Sequence, residues 1–496
     1  MSVLDQARGL IEGGRADDAL TLIEPLLAAP KPAHAVLVHQ AYALRVLKRN
    51  EEALSVHRRL ADLYSDSAAA WYDLADAYLA VSQGPPARAA VEKALRMGFG
   101  QPQAWLVLGN ACLVSGDLEA AEEAYKEALR RRPGYVDAAR HLAQLVWMRT
   151  GDADAAVAPL KALRQAGQLN FLLLQTEVKV LEAAGRATDA RAILEQLLVR
   201  SPDDPHLLRT LGQSLLDAGE FGRASVVMEK ALEKAPDSAW HLVGLAKARL
   251  AEGRAEEALT LARRAAEVSP LDQSTWGWLA TAARADGDPA YRQLNNYADF
   301  VRQYRIEPPP GWNTVEAFLE DLAAELRRFH VLRAPPSEQS LRNGIQTATD
   351  LTVLTEPAIQ GFFQAIDAPI RRYLAETGQG EGPLRSRNTG DYRVAGAWSV
   401  LLKPNGFHLN HFHPDGWISS AFYVETPVAA LETENREGWI KFGQPPFSFE
   451  PAQPPEHFVK PEPGLLVLFP SYMWHGTIPF TSDERRMTIA FDLLPK

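Results

Sequence analysis

Apolar residues return every three or four positions through most of residues 1–288, the spacing of helices that bury one face. Small residues punctuate the pattern: Ala19, Ala53, Ala87 and Ala121 stand 34 residues apart, and the register resumes, after slight slippage, at Ala190, Ala224 and Ala258. Glycines keep the same step at Gly185, Gly219, Gly253 and Gly287, and prolines keep it at Pro202, Pro236 and Pro270. Each unit predicts a helix, a glycine-containing turn, a second helix crowded at a small residue, and a proline where that helix ends. About eight units fit, with an unpaired helix from Gln273 to Asp286 closing an all-α solenoid over residues 1–288. Over residues 289–391 the repeat is lost but helical spacing persists, in Val315 to Phe329 and Glu356 to Ala375, which predicts a helical connector that buttresses the C-terminal domain. From Tyr392 the texture changes to short runs broken by Pro and Gly: Ala397 to Leu402, Ile418 to Val424, Trp439 to Phe442, Leu465 to Phe469 and Met487 to Leu493. Strands at this spacing predict a sandwich or double-sheet jelly roll over residues 392–496, so the expected class is an α + β multidomain protein.

The unit beginning at Pro102 carries Trp105, Leu108, Gly109, Gly116, Ala121, Tyr125, Ala128 and Pro133 in an order that resembles the tetratricopeptide consensus. Each helix pair in such an array exposes an apolar face that only its neighbour can cover, and the stack leaves a concave groove suited to a protein or peptide partner. Trp71, Trp105, Trp240 and Trp276 fall near the starts of first helices and are expected to pack between repeats.

Charge narrows the partners. A formal net charge of −10, with no polybasic stretch to offset it, disfavours nucleic acid or an anionic membrane surface. No window has the length and apolarity of a membrane span. The single cysteine, Cys112, has no internal partner and falls at an interior helix position, where a small buried hydrophobe is expected. With no basic segment leading into an apolar one at the N-terminus, the expected setting is reducing and cytoplasmic.

Candidate chemistry concentrates near the C-terminus. Of the 12 histidines, six lie from His330 to His475, and His411 and His413 stand one residue apart in Gly406-Phe-His-Leu-Asn-His-Phe-His-Pro-Asp-Gly-Trp. Residues i and i+2 of an extended strand share a face, so both imidazoles can reach one ion, and His475 in Phe469-Pro-Ser-Tyr-Met-Trp-His-Gly is placed to complete a facial set. Farther on, Arg485 and Arg486 open an alternating run that aims one arginine inward, where an anionic cosubstrate such as 2-oxoglutarate could be held. Trp398, Trp417, Tyr472 and Trp474 are candidate walls of the site or residues of the barrel core.

These runs, with Gln339-Ser-Leu-Arg-Asn-Gly-Ile-Gln-Thr, Trp398-Ser-Val-Leu-Leu, Leu466-Val-Leu-Phe-Pro-Ser-Tyr-Met-Trp-His-Gly-Thr and Arg486-Met-Thr-Ile-Ala-Phe-Asp, make the segment from about Tyr291 to Pro495 resemble the 2-oxoglutarate- and iron(II)-dependent oxygenases that bacteria carry behind tetratricopeptide repeats. The resemblance implies a double-stranded β-helix, Fe(II), 2-oxoglutarate and dioxygen, with hydroxylation as the default reaction. The usual iron motif is His-x-Asp or His-x-Glu with a distant His, and this chain departs from it. Either His413 stands in the carboxylate's place, giving His411, His413 and His475, or His413-Pro-Asp415 restores a carboxylate with Asp415 as the third ligand. The loop length before the next strand in related oxygenases favours the first, as does the awkwardness of a proline between ligands in a paired strand. Arg486 and Thr488, on one strand face, resemble the Arg-x-Ser/Thr pair that grips the distal carboxylate of 2-oxoglutarate; Arg485 points away. His408 is expected either to orient a ligand or to lie at the surface, and His457 to be solvated.

The function implied is a dioxygenase hydroxylating a protein or peptide side chain recruited by the repeats. Two alternatives remain open: a repeat scaffold whose β domain binds metal without turnover, and an oxygenase acting on a small metabolite.

Overall fold

The structure, a computed structural model, describes residues 2–47, 49–81, 83–168, 170–335, 337, 339–431 and 435–496, with Ala429 described by its backbone only. The chain divides into two compact units, one taking in the chain up to Val146 with Ala158–Leu173, the other Trp147–Val157 with Leu174–Lys496. Among the described residues seventeen helices run from Val3–Glu12 to Gln273–Asp286, eight pairs and one left over.

In the first unit, the pair Pro102–Val114 and Leu118–Arg131 shows how the repeat closes. A Cβ at Gly109 would lie 2.3 Å from the ring of Tyr125, so only glycine lets the two helices meet there. Ala121, Ala128 and Tyr125 are fully buried in the same seam, and Cys112 is buried beside them as expected. In the second unit, Gly219, Gly253 and Gly287 all take φ near +75°, the left-handed turn that ends a helix without a Cβ clash, which explains their fixed step.

Among its described residues the second unit also holds nine strands: β1 (Arg302–Arg305), β2 (Leu341–Gln346), β3 (Tyr392–His408), β4 (Ile418–Glu425), β5 (Ile440–Phe442), β6 (His457–Val459), β7 (Leu465–Pro470), β8 (His475–Thr477) and β9 (Arg486–Pro495). They form a six-stranded antiparallel sheet in the order β1-β7-β4-β9-β3-β2 and a three-stranded sheet β6-β5-β8, the two layers of a jelly roll. An isolated antiparallel bridge between His411 and His475 extends the small sheet by one more stretch of chain.

Residues 289–391, expected to be helical, supply β1 and β2 to opposite edges of the large sheet as well as helices. Both strands escape a periodicity argument because edge strands are short and largely polar: β1 buries only Tyr304, and β2 reads Leu-Arg-Asn-Gly-Ile-Gln. The expected helices appear as Val315–Arg327 and Pro357–Thr377. The longer one covers the outer face of the large sheet, with the Phe362 ring 5.0 Å from Phe422 and 6.0 Å from Phe491. Burying a side chain of this size stabilises the fold by roughly 1.5–3 kcal/mol. Met487, Ile489, Phe491 and Leu493 of β9 have no exposure on this side, which leaves Arg486, Thr488, Ala490 and Asp492 to face the other way.

The Gln273–Asp286 helix, last of the repeats, is built into the jelly roll. Its first backbone N–H donates to the Pro414 carbonyl at 2.9 Å, the Trp474 indole N–H donates to the Thr281 hydroxyl, and Gln453 donates to the Thr281 carbonyl. A Cβ at Gly277 would sit 2.9 Å from the Tyr472 carbonyl and 3.0 Å from the Phe412 ring. Among the described residues no helix is long and apolar enough to cross a membrane.

Candidate metal centre

A cavity of ≈ 400 Å³ lies between the two sheets, lined from the large one by the inward face of β9 and from the small one by β5 and β8. His411, His413 and His475 meet at its wall, one ring nitrogen from each within 4.8 Å of the other two. Ring centroids are 5.3 Å apart for His411 and His413, 4.2 Å for His411 and His475, and 5.2 Å for His413 and His475. The main chain sets this geometry: His411 N–H donates to the His475 carbonyl and His475 N–H to the His411 carbonyl, both at 2.9 Å. Phe412, between the pair, turns to the opposite side and packs on Trp474 with ring centroids 4.4 Å apart.

Each imidazole has its Nδ1 committed. His411 Nδ1 lies 2.8 Å from the Leu409 carbonyl, His475 Nδ1 3.0 Å from the Met473 carbonyl, and His413 Nδ1 2.6 and 2.8 Å from the two carboxylate oxygens of Asp492. Acceptors at Nδ1 put the proton there and leave the Nε2 lone pair free, the state in which imidazole binds a metal. Burial, reinforced by His413, pulls His411 down to about 3; burial and the neighbouring imidazoles hold His475 well below its ordinary value. Both are therefore neutral at pH 7 and need release no proton to bind an ion. Burial also acts against the charged form of His413, but the Asp492 carboxylate outweighs it and the net shift is upward.

Asp415 lines the same cavity from an exposed turn and is not part of the three-residue cluster. His408 lines the cavity too, its ring 5.6 Å from that of His411 and its Nδ1 3.0 Å from the Ser340 hydroxyl. His457, expected to be solvated, is instead half-buried in β6 and stacked on Tyr297 at 5.5 Å. Of the four candidate wall aromatics only Trp398 lines the cavity; Trp417, Tyr472 and Trp474 are buried anchors whose polar tips donate to Leu384 O, Leu294 O and Thr281.

Arg486 lines the same cavity, 3 % exposed, with its guanidinium carbon 5.0 Å over the Tyr423 ring. No carboxylate pairs with it among the described residues; the Tyr423 hydroxyl beside it supports the guanidinium, whose Nε has no hydrogen-bond partner there. A buried guanidinium left without a counter-ion is costly, and its cost falls when an anion enters. Thr488 follows it on the same face, while Arg485 is exposed and lines a different pocket. The residues present thus fit a divalent ion beside a carboxylate-bearing small molecule.

Sequence reasoning missed Asp492, Ser419 and Tyr423. Asp492 had a readable signal, since it is six residues beyond Arg486 and so on the same inward face of β9. Ser419 and Tyr423 had none, because β4 is buried on both faces and its hydroxyls read as ordinary strand residues.

Residues 396–492 match a family described as "Putative 2OG-Fe(II) oxygenase". Tetratricopeptide-repeat families match residues 4–68, 72–136 and 113–170, and again 181–249 and 215–280. The chain is thus a tetratricopeptide-repeat protein with a C-terminal domain of that oxygenase family. No curated protein matches it. Among solved structures it is similar to a tetratricopeptide repeat protein from Parabacteroides merdae ATCC 43184, at 16 % identity and TM-score 0.36 over 50 % of this chain and 97 % of that one. It is also similar to MamA from Desulfovibrio magneticus RS-1, at 19 % identity and TM-score 0.31 over 34 % of this chain and 93 % of the other.

Proposed function

We propose that the protein is a 2-oxoglutarate- and Fe(II)-dependent dioxygenase that hydroxylates a protein or peptide side chain recruited by its repeats. The observation that carries this reading is the pairing, in one cavity, of three imidazoles with free Nε2 atoms and a buried guanidinium that lacks a counter-ion. In this reading His411, His413 and His475 hold the iron, and Arg486 with Thr488 holds the distal carboxylate of 2-oxoglutarate. Bound together, iron, 2-oxoglutarate and dioxygen supply oxidation of a C–H bond to an alcohol, coupled to conversion of 2-oxoglutarate to succinate and carbon dioxide.

The chain's own contributions are positional. Leu409 O, Met473 O and Asp492 fix the three ring tautomers, and Trp398 and Ala490 present apolar surface to the cavity, which limits water. A macromolecular substrate is supported by the Gln273–Asp286 helix, a repeat element that abuts the cavity rim at Pro414. A peptide lying along the neighbouring repeats would therefore end beside the metal site. The test is anaerobic titration of the purified protein with Fe(II) and 2-oxoglutarate, followed by oxygen, with and without cell-lysate peptides. Succinate formation together with peptides that gain one oxygen atom is the expected result. Binding without succinate would leave a non-catalytic metal site, and succinate stimulated only by small metabolites would overturn the peptide substrate.

A further inference from the structure

Asp492 is the only carboxylate in contact with any of the three histidines among the described residues, and it touches just one of them. It accepts from His413 Nδ1 with both oxygens and from the Ser419 hydroxyl at 2.6 Å. Ser419 is held in turn by the Ser471 hydroxyl at 2.9 Å, and the Ser471 carbonyl accepts the backbone N–H of His413, also at 2.9 Å. The ring, its main chain and the carboxylate are thus locked by one closed set of bonds. The wall behind is tight: a Cβ at Gly416 would fall 2.3 Å from Ser471 Oγ and 3.5 Å from the Asp492 carboxyl carbon. No lysine or arginine pairs with Asp492 among the described residues, so its charge is directed at His413. By contrast, His411 and His475 rest on backbone carbonyls, which fix a tautomer without bringing a charge.

A facial site of two histidines and one carboxylate carries one negative charge on the metal, whereas three neutral imidazoles carry none. We propose that Asp492 is a positioning residue that returns this charge to the metal through His413, one hydrogen bond removed from the place a carboxylate ligand would occupy. The inference rests on the metal reading above. It distinguishes His413 from the other two imidazoles: polarised by Asp492, it is the strongest donor of the three.

The test is a double-mutant cycle on the full chain, read as Mn(II) affinity by titration, with thermal unfolding of the metal-free proteins as a control for folding. Asp492→Asn should weaken Mn(II) binding by about 10–100-fold. In a His413→Asp background, where a carboxylate meets the metal directly, adding Asp492→Asn should cost nothing, and it removes a like charge from the neighbourhood. Equal losses in both backgrounds, or no loss from Asp492→Asn alone, would overturn the proposal. Should His413→Asp bind no metal, the absorption spectrum of the Co(II)-loaded protein decides: Asp492→Asn shifts it if the carboxylate acts through His413 and leaves it unchanged if Asp492 only packs. A wild-type protein that binds no divalent ion would instead refute the metal reading itself.

Discussion

The indole N–H of Trp474 donates to the hydroxyl of Thr281 at 2.8 Å, joining the residue that precedes His475 to the last helix of the repeats. The bond is buried, and Phe412, from between His411 and His413, packs on the same indole. Both histidine-bearing segments therefore rest on a repeat helix, and part of the mechanical support of the candidate metal site comes from outside the jelly roll.

Gly277 on that helix should accordingly be intolerant of a side chain. Gly277→Val forces atoms into the Tyr472 carbonyl and the Phe412 ring, an overpacking that costs about 1–3 kcal/mol. Urea unfolding should register the loss, and Mn(II) affinity should fall with it even though no ligand has changed. Unchanged affinity would mean that the ligand strands hold their geometry without the helix.

His411→Ala and His475→Ala should each abolish tight Mn(II) binding, since each removes one of three convergent nitrogens. Asp415→Ala should leave it intact because that carboxylate is exposed and outside the cluster. Loss of binding in Asp415→Ala together with intact binding in His411→Ala, read by calorimetric titration, would place the third ligand at Asp415.

Arg486→Gln should weaken 2-oxoglutarate binding by about 2–5 kcal/mol while sparing the metal, because a buried carboxylate would lose its only charged partner. Arg485→Ala, at an exposed neighbouring position, should do little. Tryptophan fluorescence or calorimetry on the metal-loaded protein separates the two, and equal effects would refute the assignment of strand faces.

Acid should destabilise the fold ahead of ordinary carboxylate titration. Burial lowers both His57 and His330 from 6.5 to about 4. Their folded pKa is depressed, so between about 6.5 and 4 the unfolded chain binds protons that the native chain does not. The stability they contribute is fully present above pH 6.5 and is lost as pH falls through that window. Urea midpoints should drop from pH 7 to pH 5, and His57→Gln should flatten the slope.

Much of this architecture was legible in order along the chain. The 34-residue step is local: a small residue recurs where helix meets helix, as Ala75, Gly109 and Ala143 do, and the left-handed glycines Gly219, Gly253 and Gly287 recur where helices turn, so each unit announces itself. The His411 and His413 pair, like the inward aim of Arg486 against the exposed Arg485, follows from the two-residue period of a strand, and that period holds before any partner is known. What lay beyond the sequence are the relationships set by strand register and docking. β1 and β2 carry too few apolar residues to declare a strand, and become strands only because the edges of a large sheet offer them hydrogen bonds. The pairing of His413 with Asp492 depends on β9 lying beside β4 in one register, since a one-residue slip would turn Asp492 out of the cavity. Thr281 meets Trp474 only once a repeat helix has closed over the sheet, because a contact between groups so distant in sequence is chosen by packing and not by local preference.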